Sequence, residues 1–211
     1  MRITEIFKSI SGESIQAGYP AIFIRTHGCL LRCSYCDSMY AVTGEDYTDM
    51  SIDQILETVK ALSGYRVILT GGEPLIQPDA FELVKELIAV GYSVEIETSG
   101  AVDISKYLLP EVIITMDWKS PSSGMNDKML QSNLSKLRDT DVLKFVVSTE
   151  EDLDDMAGIS EQTQAECFVS PIFGKIDPRD IVAYLMKNDL NNVRIQLQLH
   201  KIIWDPDRKG V

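Results

Sequence analysis

Three cysteines stand close together in the run Cys29-Leu30-Leu31-Arg32-Cys33-Ser34-Tyr35-Cys36, with the spacing C-x3-C-x2-C. Thiols clustered in this way suit a metal or catalysis. A structural zinc site usually takes four ligands as two C-x2-C pairs; no second pair is present, although His27 is available as a fourth ligand. Three thiolates can instead hold three corners of a four-iron, four-sulfur cluster and leave the last iron open to a small molecule. A chance cluster is the third reading. The remaining cysteine, Cys167, lies in an apolar run with no motif around it and reads as a core residue. A second group is Thr70-Gly71-Gly72-Glu73-Pro74. Paired glycines let backbone approach a ligand closely and offer it amides and carbonyls; taken alone, the pair reads as an ordinary turn.

These residues need elements to hold them. Strands are expected at Ala21 to Thr26, Arg66 to Thr70, Ser93 to Glu97, Val112 to Met116, Val142 to Val147, Cys167 to Ser170 and Arg194 to Leu199, all short β-branched runs. Helices are expected between them. Ser51 and Gln54 form a capping box ahead of Ile52, Ile55, Leu56, Val59 and Leu62 at helical spacing, and Gly64 ends that helix. Further helices are expected at Asp79 to Val90, Asp127 to Arg138, Glu150 to Met156 and Pro178 to Lys187. Strands alternating with helices imply right-handed crossovers and a mostly parallel sheet. About six βα units make an α/β fold of the open, partial TIM-barrel kind, since a closed barrel needs eight. No low-complexity linker or repeat interrupts the chain, so residues 1–211 read as one domain. Ligands of such folds sit on the loops after the strands, which places the cysteines, the glycine turn, Glu97-Thr98-Ser99-Gly100, Asp117-Trp118-Lys119, Ser170-Pro171 and His200 on one rim.

Composition narrows the partners. With 20 Lys and Arg against 32 Asp and Glu, the net charge is −12, which argues against a protein that grips phosphate backbones or anionic membranes. No run approaches the roughly 18 apolar residues of a membrane span, and the opening MRITEIFKSISGES lacks the pattern of a signal peptide. A cytoplasmic location is expected, where the cysteines stay reduced.

The array C-x3-C-x2-C, with Tyr35 just before the last cysteine, resembles the signature of the radical S-adenosylmethionine superfamily, and Gly71-Gly72-Glu73-Pro74 resembles its GGEP motif. That resemblance implies a 4Fe-4S cluster on Cys29, Cys33 and Cys36. Its open iron would chelate S-adenosylmethionine, which one electron then cleaves to a 5′-deoxyadenosyl radical that takes hydrogen from a substrate. More narrowly, Phe7 to Glu13, Gly18 to Arg25, Gly28-Cys29, Cys36-Asp37-Ser38, Glu97 to Gly100 and the tail Gln196 to Lys201 are similar to the 7-carboxy-7-deazaguanine synthase family. Members of that family convert 6-carboxy-5,6,7,8-tetrahydropterin to 7-carboxy-7-deazaguanine with loss of ammonia, on the route to queuosine and other 7-deazapurines. They use Mg2+ and are homodimers, and they take electrons from a donor such as flavodoxin.

The resemblance also implies roles for single residues. Ile10, Ser11 and Gly12 match a substrate-binding turn, with Glu13 an acceptor for the pterin N–H edge, and Arg25 matches the arginine that meets the substrate. Thr70, Glu97, His200 and the terminal Val211 are further substrate contacts. Ser38 matches the Mg2+ ligand. Tyr35, Cys36, Asp37, Gly71, Gly72, Glu73, Asp117, Trp118, Lys119, Ser170, Pro171, Ile172 and Phe173 match cofactor-binding positions. The chain departs from the family at Ser11 (often glutamine), Ser14 (often glycine), Ser38 (more often threonine) and Asp117-Trp118 (often Ser-Pro before the lysine). Two competing readings are an activating enzyme for a glycyl-radical enzyme, which would act on a large protein, and a structural module holding a cluster or zinc without catalysis.

Overall fold

The computed structural model describes residues 1–206 and 208–211. Its strands form a single nine-stranded sheet in the order β3-β1-β2-β4-β5-β6-β7-β8-β9. The strands are β1 (Arg2–Ile10), β2 (Pro20–Thr26), β3 (Thr48–Asp49), β4 (Arg66–Gly71), β5 (Ser93–Thr98), β6 (Val112–Trp118), β7 (Val142–Val147), β8 (Glu166–Pro171) and β9 (Val193–Ile195). β1 pairs antiparallel with both β2 and β3, whereas β2 and β4 to β9 run parallel. Helices α1 (Met39–Thr43), α2 (Ile52–Ala61), α3 (Ala80–Ala89), α4 (Glu150–Ser160), α5 (Pro178–Lys187) and α6 (Leu199–Ile203) complete the chain.

The parallel strands alternate sharply. On β5, Val94 and Ile96 join the main core under the helices, together with Ile114 and Met116 of β6 and Leu83, Val84 and Leu87 of α3. Glu95 and Glu97 point the other way. That inner face carries a small apolar plug of Ala21, Phe23 and Ile68 backed by Phe7, whose ring stacks on Phe23 at 5.0 Å. The sheet is rolled, because residues from its far ends meet: Ser14 N donates to Gln196 Oε1 at 2.7 Å, and Leu199 N to the Gly12 carbonyl at 3.1 Å. β3 and β9 remain unpaired with one another, so the roll is an open barrel.

Several expectations are met locally. Ser51 and Gln54 form the capping box of α2, and Thr149 with Asp152 forms another at α4, which runs past Met156 to Ser160. Others give way to tertiary contacts. The segment Asp127 to Arg138 is not an α-helix; it carries single 3-10 turns at Asn126–Lys128 and Gln131–Asn133. Buried Asn133 donates through Nδ2 to the Gly100 and Val102 carbonyls at 3.1 and 2.8 Å, so its side chain satisfies the β5–β6 connection. Arg138 likewise reaches the Leu109 and Val112 carbonyls. The final strand is shorter than Arg194 to Leu199, because Gln196 and Gln198 turn their side chains to Ser14 and Glu13 and the chain leaves the sheet for α6. β1, β3, α1 and α6 have no counterpart among the expected elements.

Candidate active site

All parallel strands deliver their carboxyl ends to one rim, and a cavity of about 540 Å3 opens there. Cys29, Cys33 and Cys36 line it from the loop between β2 and α1, as free, half-buried thiols. Buried Leu31 anchors the loop in the core, and Arg32 Nη1 donates to the Cys29 and Leu31 carbonyls at 3.0 and 2.7 Å. Ser34 ties it to the β6–β7 connection, its N donating to Ser123 O at 3.0 Å and its Oγ to Ser122 O at 2.7 Å. Burial pushes the Cys29 and Cys33 thiols up, against the pull of Lys119. Among the described residues, no three His, Cys, Asp and Glu side chains gather closely enough to share one metal ion. A cube that takes one thiolate at each of three irons requires thiols spread around it, and three such thiols open onto this cavity.

The glycine turn packs directly on that loop. A β-carbon at Gly72 would run into the Gly28 carbonyl, and one at Gly71, whose φ is +147°, into the Thr26 backbone. Gly72 N donates to Thr26 O at 3.1 Å and Glu73 N to Gly28 O at 2.8 Å. The close approach that the glycines allow is therefore to the start of the cysteine loop, and the Gly72 and Glu73 amides are already engaged there. Both glycines line the cavity; Glu73 does not. Its fully buried carboxylate accepts from Leu75 N (3.1 Å), Thr98 Oγ1 (2.8 Å), Ser99 N (2.8 Å) and Ser99 Oγ (2.5 Å), which makes it the brace between β4 and β5.

Opposite lies the turn after β1. Ile10, Gly12 and Glu13 line the cavity, with Thr70 and Glu97 beside them. Ser11 is turned inward, its Oγ donating to Glu13 O at 2.9 Å. Gly12 leaves no room for a β-carbon, because the His200 imidazole lies against it. Burial lowers the His200 pKa despite Glu13 and Asp37 nearby. Arg25 is fixed by Glu5, whose Oε1 accepts from Arg25 Nε at 2.8 Å and from Tyr40 OH at 2.6 Å. Burial works to lower the Arg25 pKa, yet Tyr40, Glu5 and Glu97 outweigh it and the pKa rises. Val211 lines the cavity, and Lys209 Nζ lies 4.1 Å from the centre of the Tyr40 ring.

The remaining expected residues divide. Tyr35, Asp37, Ser38, Asp117, Lys119, Ile172 and Phe173 line the cavity. Trp118, Ser170 and Pro171 do not. Trp118 alternates to the helix side, where it is buried and its Nε1 donates to Asp155 Oδ2 at 3.2 Å; Ser170 and Pro171 are buried at the end of β8. Asp37 pairs with Lys201 at 3.1 Å, and this with Lys144 and Arg25 holds its carboxyl low in spite of burial. Asp117 pairs with Lys119 at 3.0 Å and with Lys144 at 3.4 Å; the two ammoniums overcome burial and lower its pKa. Ser38 Oγ lies 3.8 Å from Cys36 Sγ.

Sequence reasoning missed Glu5, Tyr40, Lys144, Gln198 and Lys201. The signals present were a lone charge in the apolar run Val142-Leu143-Lys144-Phe145-Val146-Val147 and, for Gln198 and Lys201, the tail Gln196 to Lys201. With these residues the wall is charge-balanced: Arg25, Lys119, Lys144 and Lys201 face Glu13, Asp37, Glu97 and Asp117, although the chain as a whole carries −12. Such a site suits a ligand that bears both a carboxylate and polar ring edges.

A sequence profile of the Radical SAM superfamily matches residues 23–116. The 7-carboxy-7-deazaguanine synthase of Clostridium acetobutylicum is 40% identical over 220 residues, covering 100% of this chain and 99% of the relative. That of Methanospirillum hungatei is 43% identical, covering 98% of this chain and 86% of the relative. Among solved structures, QueE from Escherichia coli superposes with a TM-score of 0.78 at 22% identity over 94% of each chain, and SuiB of Streptococcus suis bound to S-adenosylmethionine with 0.60 over 82% of this chain and 48% of its own. Both likenesses are of fold.

Proposed function

The chain belongs to the radical S-adenosylmethionine superfamily and, within it, to the 7-carboxy-7-deazaguanine synthases, and on that premise we propose how its residues carry the ring contraction of 6-carboxy-5,6,7,8-tetrahydropterin to 7-carboxy-7-deazaguanine with release of ammonia. The observation that carries the reading is that Cys29, Cys33 and Cys36, the Gly71-Gly72 turn, Arg25 and Glu13 all open on one cavity. Cys29, Cys33 and Cys36 hold the 4Fe-4S cluster. When bound, the cluster and S-adenosylmethionine supply the one-electron chemistry that opens the reaction by hydrogen-atom abstraction. The glycine-turn carbonyls accept from the methionine amino group. Asp37, Asp117, Lys119, Ile172 and Phe173 border the rest of that cofactor, with Tyr35 closing the cysteine loop.

Arg25 binds the pterin carboxylate: with Nε committed to Glu5, its terminal nitrogens present the planar fork that a carboxylate matches. Ser38 would supply one neutral oxygen to Mg2+. Glu13 accepts from the pterin N–H edge, and Ile10, Gly12, Thr70, Glu97, His200 and the Val211 terminus enclose the ring. Ser11, Glu73, Trp118, Ser170 and Pro171 act from behind the wall and shape it. Residues 1–211 work as a single radical S-adenosylmethionine domain, in a cytoplasmic homodimer that receives electrons from a flavodoxin-like donor. Among the described residues no helix is long and apolar enough to cross a membrane. Full-length likeness to synthases favours the pterin reading over a protein-activating one.

The test is anaerobic. The cluster is reconstituted and reductant, S-adenosylmethionine, Mg2+ and 6-carboxytetrahydropterin are added; mass spectrometry should then find 7-carboxy-7-deazaguanine. Formation of 5′-deoxyadenosine without that product would retain the superfamily and reject the pterin.

A further inference from the structure

Lys144 is the single charge on β7, a strand buried along its whole length. An ammonium there carries a desolvation cost that an apolar residue of the same size would avoid, so its presence calls for a task. Burial works to lower its pKa, but Glu13, Asp117 and Glu97 outweigh it and hold the group charged. Its Nζ lies 3.1 Å from Glu13 Oε2 and 3.4 Å from Asp117 Oδ2. An ammonium has three N–H donors, and among the described residues only these two carboxylates take them. The third donor is left for the cavity that Lys144 lines. Asp117 Oδ1 is also buried with no hydrogen-bond partner, so the polar cluster does not satisfy itself.

Glu13 and Lys144 thus present an acceptor and a donor side by side on one wall. The ring edge complementary to that pair has an N–H next to a C=O, as in a cyclic amide. A 2-amino-4-oxopterin carries this edge as N3–H and C4=O; a 2,4-diamino ring reverses it, with an unprotonated N3 facing the carboxylate and a 4-amino donor where the carbonyl should be. We infer that Lys144 is a specificity-determining residue that donates to the C4 oxygen of the pterin while Glu13 accepts from the adjacent N–H, selecting 4-oxo over 4-amino rings. This inference rests on the pterin reading of the site. Its energetic basis is that a buried ammonium facing an amino group leaves two donors unpaired, which discriminates more strongly than the matched hydrogen bond stabilises.

Binding alone tests it, without turnover. Fluorescent 6-carboxypterin and 2,4-diaminopteridine-6-carboxylate are titrated into the anaerobic, reconstituted protein with S-adenosylmethionine and Mg2+. The wild type should bind the 4-oxo probe at least about 30-fold more tightly, equivalent to about 2 kcal/mol. Lys144→Gln, whose amide can turn either its N–H or its oxygen to the ring, should bring the two dissociation constants within about 3-fold. Lys144→Arg, which keeps the charge that Glu13 and Asp117 need, should fold and retain the preference. A purely structural lysine would weaken both probes equally and leave their ratio unchanged; that result overturns the inference, as does equal binding of the probes by the wild type. If the wild type bound neither probe while still binding S-adenosylmethionine, the pterin reading itself would fall.

Discussion

Glu95 is a side chain that folding takes away from its free behaviour at neutral pH. Burial, and then the neighbouring Glu97, push its pKa up to about 7, while hydrogen bonds from Thr115 and Ser14 and the charge of Lys144 oppose the rise. Thr115 Oγ1 donates to Glu95 Oε1 at 2.5 Å and lies 2.8 Å from Ser14 Oγ, and Glu95 Oε2 is buried without a partner. Ser14 has a φ of +69°, a conformation that favours glycine, and is held there by this hydroxyl contact and by Gln196. Because the folded pKa of Glu95 lies above its ordinary carboxylate value, the stability it contributes is complete below about pH 4.5 and is lost as pH rises through about 7. His200, its pKa lowered by burial, works in the opposite direction and destabilises the fold as pH falls. Comparing wild type with Glu95→Gln isolates the first effect. Urea unfolding at pH 5 and pH 8 should show the wild type losing about 2 to 3 kcal/mol relative to the variant between the two. Parallel curves would mean that Glu95 is ionised in the fold.

At the scale of elements, the site is built by strand ends packed backbone against backbone. The Gly71-Gly72 turn lies so near Gly28 and Cys29 that a methyl group cannot be inserted without moving the first cysteine. Gly72→Ala should leave the far-UV circular dichroism of the sheet and helices unchanged but lower iron retained after reconstitution at least about five-fold, since the clash is with backbone that cannot rotate aside. Normal iron content would show that the loop tolerates displacement. The same principle explains the missing helix before β7: between Asn126 and Arg138 the polar side chains complete the hydrogen bonds of neighbouring strand connections, and a regular helix would withdraw them.

Over the whole molecule, rolling the sheet brings the two ends of the chain together across the cavity. Gln198 Nε2 donates to Glu13 Oε1 at 3.2 Å, Leu199 N reaches the Gly12 carbonyl, and Lys201 pairs with Asp37. α6 buries no residue in the core, so the tail closes the site without supporting the fold. Removing residues 204–211 should therefore shift Tm by no more than about 3 °C yet weaken 6-carboxypterin binding at least about ten-fold, because Pro206 and Val211 leave the wall and Lys209 leaves Tyr40. A large fall in Tm would make the tail a structural strap instead.

Local order alone made much of this protein legible. The cysteine spacing, the glycine turn, the capping box at Ser51 and the β-branched strands are written in neighbouring residues, and hydrophobic period and turn chemistry are short-range effects. That Cys29, Arg25, Glu97 and Asp117 share one rim also followed, since parallel strands expose their carboxyl ends together, whereas Glu13, on the turn after antiparallel β1, reaches the cavity only through the tertiary fold. Only the tertiary structure decided that Glu73 braces two strands behind the cavity wall, that Trp118 faces the helices, and that Glu5 orients Arg25. Lys144 shows why. It is 131 positions from Glu13, and the reason for a charge in the middle of an apolar strand exists only once the rolled sheet has carried both to the same wall.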